Sequence, residues 1–385
     1  MAPLEEVTEA IYRNAYHAFF FPMDKYFAPF ISAKPNKGRL FNYREKRDIL
    51  PENNQNLYLV PQILTNQSED FLRTVKGLME YGYQEVNLNL GCPSRPVVNG
   101  GRGSGFLEKK EKLKQFLDEI FDKCPIEISI KTRLGRYHEE EIDELFELFS
   151  NYPYEELIVH PRVQTDYYKG SPRFDAFAGV YQKNEKPLIY NGDIFTKEDY
   201  EDVVKRFPKI DGVMLGRGVL ANPGLLSVIH GQELPSLEVW GAFLERLYQD
   251  FTENAVNEEK ALFKLKEIWS YLRWSFPESN IWDRQMKVAG DLETFCDDIY
   301  LIQKGTITFH EEMDRLLDAY GLLKVSDEVY KKMDKSHIIC RKKENFGWSC
   351  LTDQKAYYQM HNPEIVIEKG NVDELILLMA GGERI

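Results

Sequence analysis

No stretch of this 385-residue chain reaches 18 consecutive apolar residues, so no transmembrane helix is expected. Cysteine is scarce. The five thiols, at 92, 124, 296, 340 and 350, are odd in number and widely spread, which argues against a disulfide framework and for a reducing compartment. A basic excess is lacking too: 49 Lys and Arg face 62 Asp and Glu, a net charge of -13. That balance counts against a protein that coats nucleic acid nonspecifically, though not against a local basic groove. The deficit lies wholly in residues 1–320, with 39 basic against 52 acidic side chains; residues 321–385 hold ten of each. There is no internal repeat and no low-complexity linker. The opening Met-Ala-Pro-Leu-Glu-Glu carries two early carboxylates and no basic run, unlike a secretory signal. The expectation is a cytoplasmic protein with no membrane contact and no protein partner inferred.

What is present is a core-building composition, 43% hydrophobic, arranged in a repeating rhythm. Short apolar or β-branched runs alternate with amphipathic stretches closed by Gly, Pro or Asn. Strand candidates are Asp24–Ile31, Leu57–Gln62, Glu85–Leu90, Ile126–Thr132, Glu156–His160, Pro187–Asn191 and Gly212–Gly216. Helical patterns cover Glu5–Phe19, Ser68–Tyr81, Lys109–Lys123, Glu139–Asn151 and Lys197–Arg206, and residues 32–56 read as a loop. Such alternation implies a parallel sheet, either doubly wound or closed. Polar residues collect at the strand ends (Gln62, Asn89, Lys131, His160, Asn191, Arg217), where barrels of this class carry their chemistry. The missing eighth strand has room only at Met1–Leu4. We therefore expect an α/β fold, a (β/α)8 TIM barrel over residues 1–235. A helical domain over 236–320 and a short C-terminal extension over 321–385 would follow. Within the extension, Ile365–Ile367 reads as a strand and Val372–Met379 as a helix.

Val86-Asn-Leu-Asn-Leu-Gly-Cys-Pro-Ser94 places Cys92 on a turn after a strand end. A thiol there can serve as nucleophile or general acid, or be an ordinary buried cysteine; no metal-spaced neighbour makes it a ligand. Gly100-Gly-Arg-Gly-Ser-Gly105 could cradle a phosphate through its backbone amides, but it matches no phosphate-binding signature and reads rather as a mobile active-site loop. Lys131 and His160 close neighbouring strands, and a lysine there can neutralise an anionic ring or phosphate. Asn191-Gly-Asp193 and Gly216-Arg-Gly218 close the last two, the usual phosphate-binding pair of such barrels. In the tail, His337, Cys340, Cys350 and His361 do not follow zinc-finger spacing, and no metal site is expected.

In order and spacing, Ala2-Pro-Leu4, Val60-Pro-Gln62, Asn87–Ser94, Lys131-Thr-Arg133, His160-Pro-Arg162, Asn191-Gly-Asp193 and Gly216-Arg217 resemble the tRNA-dihydrouridine synthases, over roughly residues 1–320. The resemblance implies FMN at the barrel mouth. Ala2, Pro3 and Leu4 would line its ring, Gln62 and Lys131 would meet its polar edge, and His160 would lie beside it. Asn191, Gly192, Asp193, Gly216 and Arg217 would fix its phosphate. NADPH would reduce the flavin, hydride would pass to C6 of a tRNA uridine, and Cys92 would protonate C5. Asn89 would position the uracil, while Arg162 and the helical domain would face the RNA. RNA contact is expected from Arg95, Arg102, Arg133 and Arg162 at the mouth and from Lys260, Lys264 and Arg273 beyond it. Two departures stand out: the first strand is nearly absent, and Leu4 replaces the usual Met. A different FMN oxidoreductase acting on a free pyrimidine, a non-catalytic RNA-binding relative and a flavin-free phosphate-binding barrel are the competing readings.

Overall fold

Seven strands whose residues are almost all buried form one parallel sheet in strict sequence order: β1 Tyr26–Ser32, β2 Leu59–Leu64, β3 Glu85–Leu90, β4 Glu127–Gly135, β5 Leu157–Val163, β6 Leu188–Tyr190 and β7 Gly212–Val213. Burial on both faces is why these strands read as apolar runs rather than alternating ones. The computed structural model describes residues 1–35, 38–255, 257–275, 298–303, 306–312, 320–362, 365–368 and 383–384.

The helices that follow are α1 Ala10–Phe19, α2 Tyr43–Ile49, α3 Ser68–Met79, α4 Arg95–Asn99, α5 Lys110–Lys123, α6 Glu141–Ser150, α7 Phe174–Lys183, α8 Lys197–Arg206, α9 Arg217–Ala221, α10 Leu225–Ile229, α11 Leu237–Asn254 and α12 Glu258–Leu272. The first starts later than its apolar pattern, because Glu6 takes a left-handed φ of 67° and Thr8 closes a turn onto Leu4. The span expected to be a loop, 32–56, instead holds α2. A reciprocal cap nucleates it: Asn42 Oδ1 accepts from Glu45 N at 2.8 Å, and Glu45 Oε2 accepts from Asn42 N at 2.7 Å.

The sheet's two edges meet at the N-terminal segment. Phe27 N in β1 donates to Met1 O at 3.1 Å, while Ala2 N donates to Leu215 O, just past β7, at 2.7 Å. Two residues thus bond to both edges in the place of an eighth strand. Ala2 packs with Phe27, Val60, Ile158 and Met214 in one buried cluster. A proline disturbs the middle of β1, which loses register between Ala28 and Ile31, where Pro29 has no N–H to offer.

The chain divides into two units, Met1–Asn254 with Glu267–Leu272, and the remainder. The first therefore runs past the boundary expected at residue 235. The cause is aromatic packing of α11 on α1: Phe243 meets Phe20 at 4.8 Å and Tyr12 at 5.9 Å between ring centroids. Residues 236–320, expected to be wholly helical, also contain an antiparallel pair, β8 Asp298–Gln303 and β9 Thr306–Glu312. Their β-branched and aromatic content favours strands, and Lys304-Gly305 stands between them in sequence.

In the extension, β10 Gly321–Val325, β11 Cys340–Glu344, β12 Gly347–Thr352, β13 Val366–Glu368 and β14 Glu383–Arg384 form a sheet of order β13-β10-β12-β11-β14. Its described pairings are antiparallel. It is accompanied by α13 Asp327–Lys332 and α14 Lys355–His361. Leu323, Val325, Tyr330, Met333, Ile338, Cys350 and Tyr358 make its own core. The expected strand at 365–367 is β13; the expected helix at 372–379 lies outside the described residues. Among the described residues no helix is long and apolar enough to cross a membrane.

Candidate active site

Parallel register sets the polar side chains of β2 to β5 beside one another. Gln62 pairs with Asn87, Asn89 with Lys131, and Arg133 with His160. From this follows a buried amide chain. Asn87 Nδ2 donates to Ser129 Oγ at 2.9 Å, Gln62 Nε2 to Asn87 Oδ1 at 2.7 Å, and Asn89 Nδ2 to Gln62 Oε1 at 2.7 Å. Asn89 Oδ1 then accepts from Gly91 N at 3.1 Å and Cys92 N at 2.9 Å. Each amide is oriented by the next, so the turn that bears the thiol is held from below. Ser129 and Asn87 were not singled out in sequence. Their alternation with Val86, Leu88, Ile128 and Ile130 is the signal that polar atoms point inward from a buried strand.

From the other side, Ser104 donates both N (3.2 Å) and Oγ (2.8 Å) to Cys92 O. The glycine segment 100–105 is therefore a clasp on Cys92. Gly103 has φ of 54°, and a Cβ there would stand 2.9 Å from Cys92 O, so no other residue fits without strain. The thiol is half-buried, and burial pushes its pKa up, opposed by the Ser94 N–H and by Arg133 and Lys131. Cys92 is neutral at physiological pH: it can give a proton but is poor as a thiolate nucleophile.

The second feature is an open cleft at the C-terminal ends of the strands. It gathers Ala2, Pro3, Leu4, Lys131, His160, Asn191, Gly192, Asp193, Gly216 and Arg217. Tyr168, Ile194, Phe195 and Gly218 complete it. Gln62, Asn89 and Cys92 are not among its lining residues; Asn89 is the register partner of Lys131, which does line it, Gln62 is bonded to Asn89, and Cys92 feels the Lys131 charge. The close approach of the last two loops requires Gly218, since a Cβ there would run into Ile194 O. Asn191 Nδ2 donates to Met214 O at 2.8 Å and ties the same loops together.

Positive charge dominates this end of the barrel. Burial, then Arg133, lowers Lys131 to about 7; burial, then Arg162, lowers Arg133 to about 10. His160 is held well below its ordinary value by burial and by Arg133, Lys131, Arg162 and Arg217, so its ring is neutral. Asp193 bridges two of these cations, accepting from Arg162 and from Arg217 at 2.5 Å each.

Arg162 does not face RNA, contrary to expectation. It is fully buried, and its donors reach Lys169 O at 3.2 Å, Gly170 O at 2.5 Å, Asp193, and His160 Nε2 at 3.2 Å. It braces the loops after β5 and β6 from inside. Arg133 is buried as well, bonded to Gly91 O and Val163 O at 2.9 Å each. The residue that does reach outward is Tyr168, 53% exposed, with the Arg217 and Arg133 guanidinium carbons 4.8 and 5.5 Å from its ring centroid. Tyr167 beside it holds φ of 54° without being glycine, backbone strain of a kind that gathers at functional sites. Sequence reading missed Tyr168 because nothing in Asp-Tyr-Tyr-Lys separates a cleft aromatic from a surface one. Among the described residues no group of three or more acidic, His or Cys side chains could hold a metal ion.

A family model described as dihydrouridine synthase matches residues 1–304. The tRNA-dihydrouridine(16) synthase of Vibrio vulnificus is 26% identical over 229 residues, 57% of this chain and 70% of the relative. A probable tRNA-dihydrouridine synthase of Staphylococcus epidermidis is 25% identical over 269 residues, 69% of this chain and 80% of the relative. Among solved structures, a morphinone reductase aligns with a TM-score of 0.43 at 11% identity, over 62% of this chain and 89% of that one. With the family model matching well over half of its length, the chain belongs to the dihydrouridine synthase family.

Proposed function

We propose that the protein reduces the C5–C6 double bond of uridines in tRNA, with FMN in the cleft, NADPH as reductant and Cys92 as proton donor. The observation that carries this reading is a thiol whose proton burial retains, on a turn fixed by Asn89 and within the influence of the buried cations Lys131 and Arg133. The cleft suits FMN. Burial and the neighbouring cations depress Lys131 and Arg133, and a phosphate or an electron-rich ring edge would relieve them. Arg217, with the backbone of Gly192 and Gly216, would hold the phosphate; Ala2, Pro3 and Leu4 would flank the ring; Gln62 and Lys131 would meet its polar edge; neutral His160 would lie beside it. When bound and reduced, the flavin would supply hydride to C6 of the uracil.

The chain's own residues do the rest. Addition at C6 leaves an electron pair at C5 and O4, and Cys92 Sγ–H delivers the proton to C5, leaving a thiolate to be reprotonated from solvent. Lys131 and Arg133 lie close enough to influence the thiol and to stabilise that thiolate. Asn89 Oδ1 is used by the Cys92 turn, so its remaining amide N–H is what a base can meet. Tyr168 offers a ring face at the lip. The uridine must leave the RNA stack to enter.

Cys92→Ala should retain flavin and still accept hydride from NADPH, yet form no dihydrouridine in tRNA. Dihydrouridine at the wild-type rate in that variant would overturn the assignment.

A further inference from the structure

Three polar side chains beneath the Cys92 turn have almost no contact with solvent: Ser129 and Asn87 are fully buried, and Gln62 is 1% exposed. A buried amide has only its protein partners to choose which way it points. Here the choice is made at one end of the line. Asn89 Oδ1 faces two backbone donors, Gly91 N at 3.1 Å and Cys92 N at 2.9 Å. Reversing Asn89 would set its NH2 group against both. Its Nδ2 therefore points to Gln62, whose Oε1 accepts at 2.7 Å. Gln62 is then obliged to present Nε2 to position 87, where only an acceptor can pair with it; Asn87 Oδ1 does so at 2.7 Å. The far end is permissive. Ser129 Oγ accepts from Asn87 Nδ2 at 2.9 Å and turns its own hydrogen towards Val86 O at 3.4 Å, but a hydroxyl can equally donate to an oxygen in that place. The carbonyls of the turn are held separately, Gly91 O by Arg133 Nε and Cys92 O by Ser104. Among the described residues, the Asn89 side chain bonds nothing but this turn and Gln62.

We propose that Asn87 is a positioning residue for proton transfer: as the acceptor that holds Gln62, it keeps Asn89 directed at the Cys92 turn and the turn in place. This rests on the reading of Cys92 as proton donor and adds a requirement to it, an acceptor at position 87. A side chain of similar bulk without one leaves Gln62 Nε2 unpaired, and Asn89 loses its anchor. Aspartate meets the requirement in either protonation state. The neutral acid has a C=O for Gln62 and an O–H for Ser129, the pattern of the amide itself; the carboxylate accepts from both Gln62 and the Ser129 hydroxyl.

The test compares Asn87→Leu and Asn87→Asp with wild type, each as the full chain loaded with flavin. Enzyme reduced beforehand with NADPH is mixed with saturating unmodified tRNA, so that dihydrouridine formed in one turnover reports the transfer steps alone. Asn87→Leu should slow that turnover roughly tenfold to a hundredfold, the penalty of a misplaced reacting group, while Asn87→Asp should stay within about threefold of wild type. A second measurement needs no assumption about the reaction: alkylation of Cys92 by iodoacetamide without tRNA, followed on its own peptide across pH. Burial raises this thiol, with Glu5 adding to the rise and the Ser94 N–H, Arg133 and Lys131 opposing it. In Asn87→Leu the loosened turn should alkylate faster, with its pH midpoint lowered towards the ordinary thiol value; Asn87→Asp should keep the wild-type profile. If Asn87→Leu does not fold, Asn87→Ser, too short to reach Gln62, takes its place with the same expectation. A folded Leu or Ser variant with wild-type turnover, or a slow one whose Cys92 alkylates like wild type, would overturn the proposal. So would an Asp variant as slow as the Leu variant. Dihydrouridine formed at full rate by Cys92→Ala would instead sink the proton-donor reading, and the alkylation profile would still decide whether Asn87 holds the turn.

Discussion

Lys131 shows how much one side chain depends on its surroundings. Its pKa near 7 means that at pH 8 the empty cleft holds mostly neutral amine. An anion bound beside it favours the ammonium form and raises that pKa. FMN binding at pH 8 should therefore take up close to one proton, and at pH 6 almost none, because the lysine is already charged there. Calorimetry in buffers of different ionisation enthalpy measures this, and Lys131→Met should abolish it. Stability carries the opposite signature. Between pH 7 and about 10 the unfolded chain holds a proton that folded Lys131 has released, so the flavin-free protein should gain stability as pH rises through that window. Cys92 is perturbed in the complementary sense: raised by burial, it keeps the proton it must give.

The barrel's elements are locked by a few polar ties that apolar packing alone would not specify. Arg13 in α1 is fully buried and donates to Thr8 O at 2.6 Å, Asp48 O at 2.8 Å and Asn54 Oδ1 at 2.8 Å, with Asp48 Oδ1 3.1 Å away. Asp48→Ala would leave that guanidinium uncompensated. It should cost about 3–5 kcal/mol in urea unfolding while leaving the cleft residues in place. The loops after β6 and β7 are coupled by close packing as well as by the Asp193–Arg217 ion pair. Gly218→Ala would force the Ile194 carbonyl aside at an overpacking cost of about 1–3 kcal/mol. Flavin retention on purification should then fall about five- to a hundredfold, read from visible absorbance. Equal flavin content in the alanine variant would show that the two loops are not the phosphate cradle.

At the scale of the whole molecule, a chain of two units should not melt as one. Calorimetry should resolve two transitions. FMN at a hundred times its Kd should raise only the one belonging to the barrel, by a stabilisation of about 2.7 kcal/mol. A single transition, shifted as a whole by FMN, would mean that the units unfold together.

The sequence by itself determined the strand-and-helix rhythm and the order of polar residues at strand ends. Both are local: burial on two faces writes an apolar run, and a β-strand's pleat places Asn87 and Asn89 on one side. It therefore also showed Cys92 on a turn and the glycine-bearing loops at 192 and 216–218. It did not show α2, whose short amphipathic pattern is set by a cap at Asn42, nor the β8–β9 pair, which stands in a stretch that reads as helices only. Tertiary structure alone decided what each charge does. Arg162 and Asp193 meet across 31 residues, and Asn87 and Ser129 across 42. No local pattern encodes such pairings, which arise from parallel register between strands joined by whole helices. Arg162 read as an RNA contact and folds inward as a brace; the glycines at 100–105 read as a mobile loop and close on Cys92. A side chain's type is written in the sequence, but its exposure and partners are set only when distant strands align.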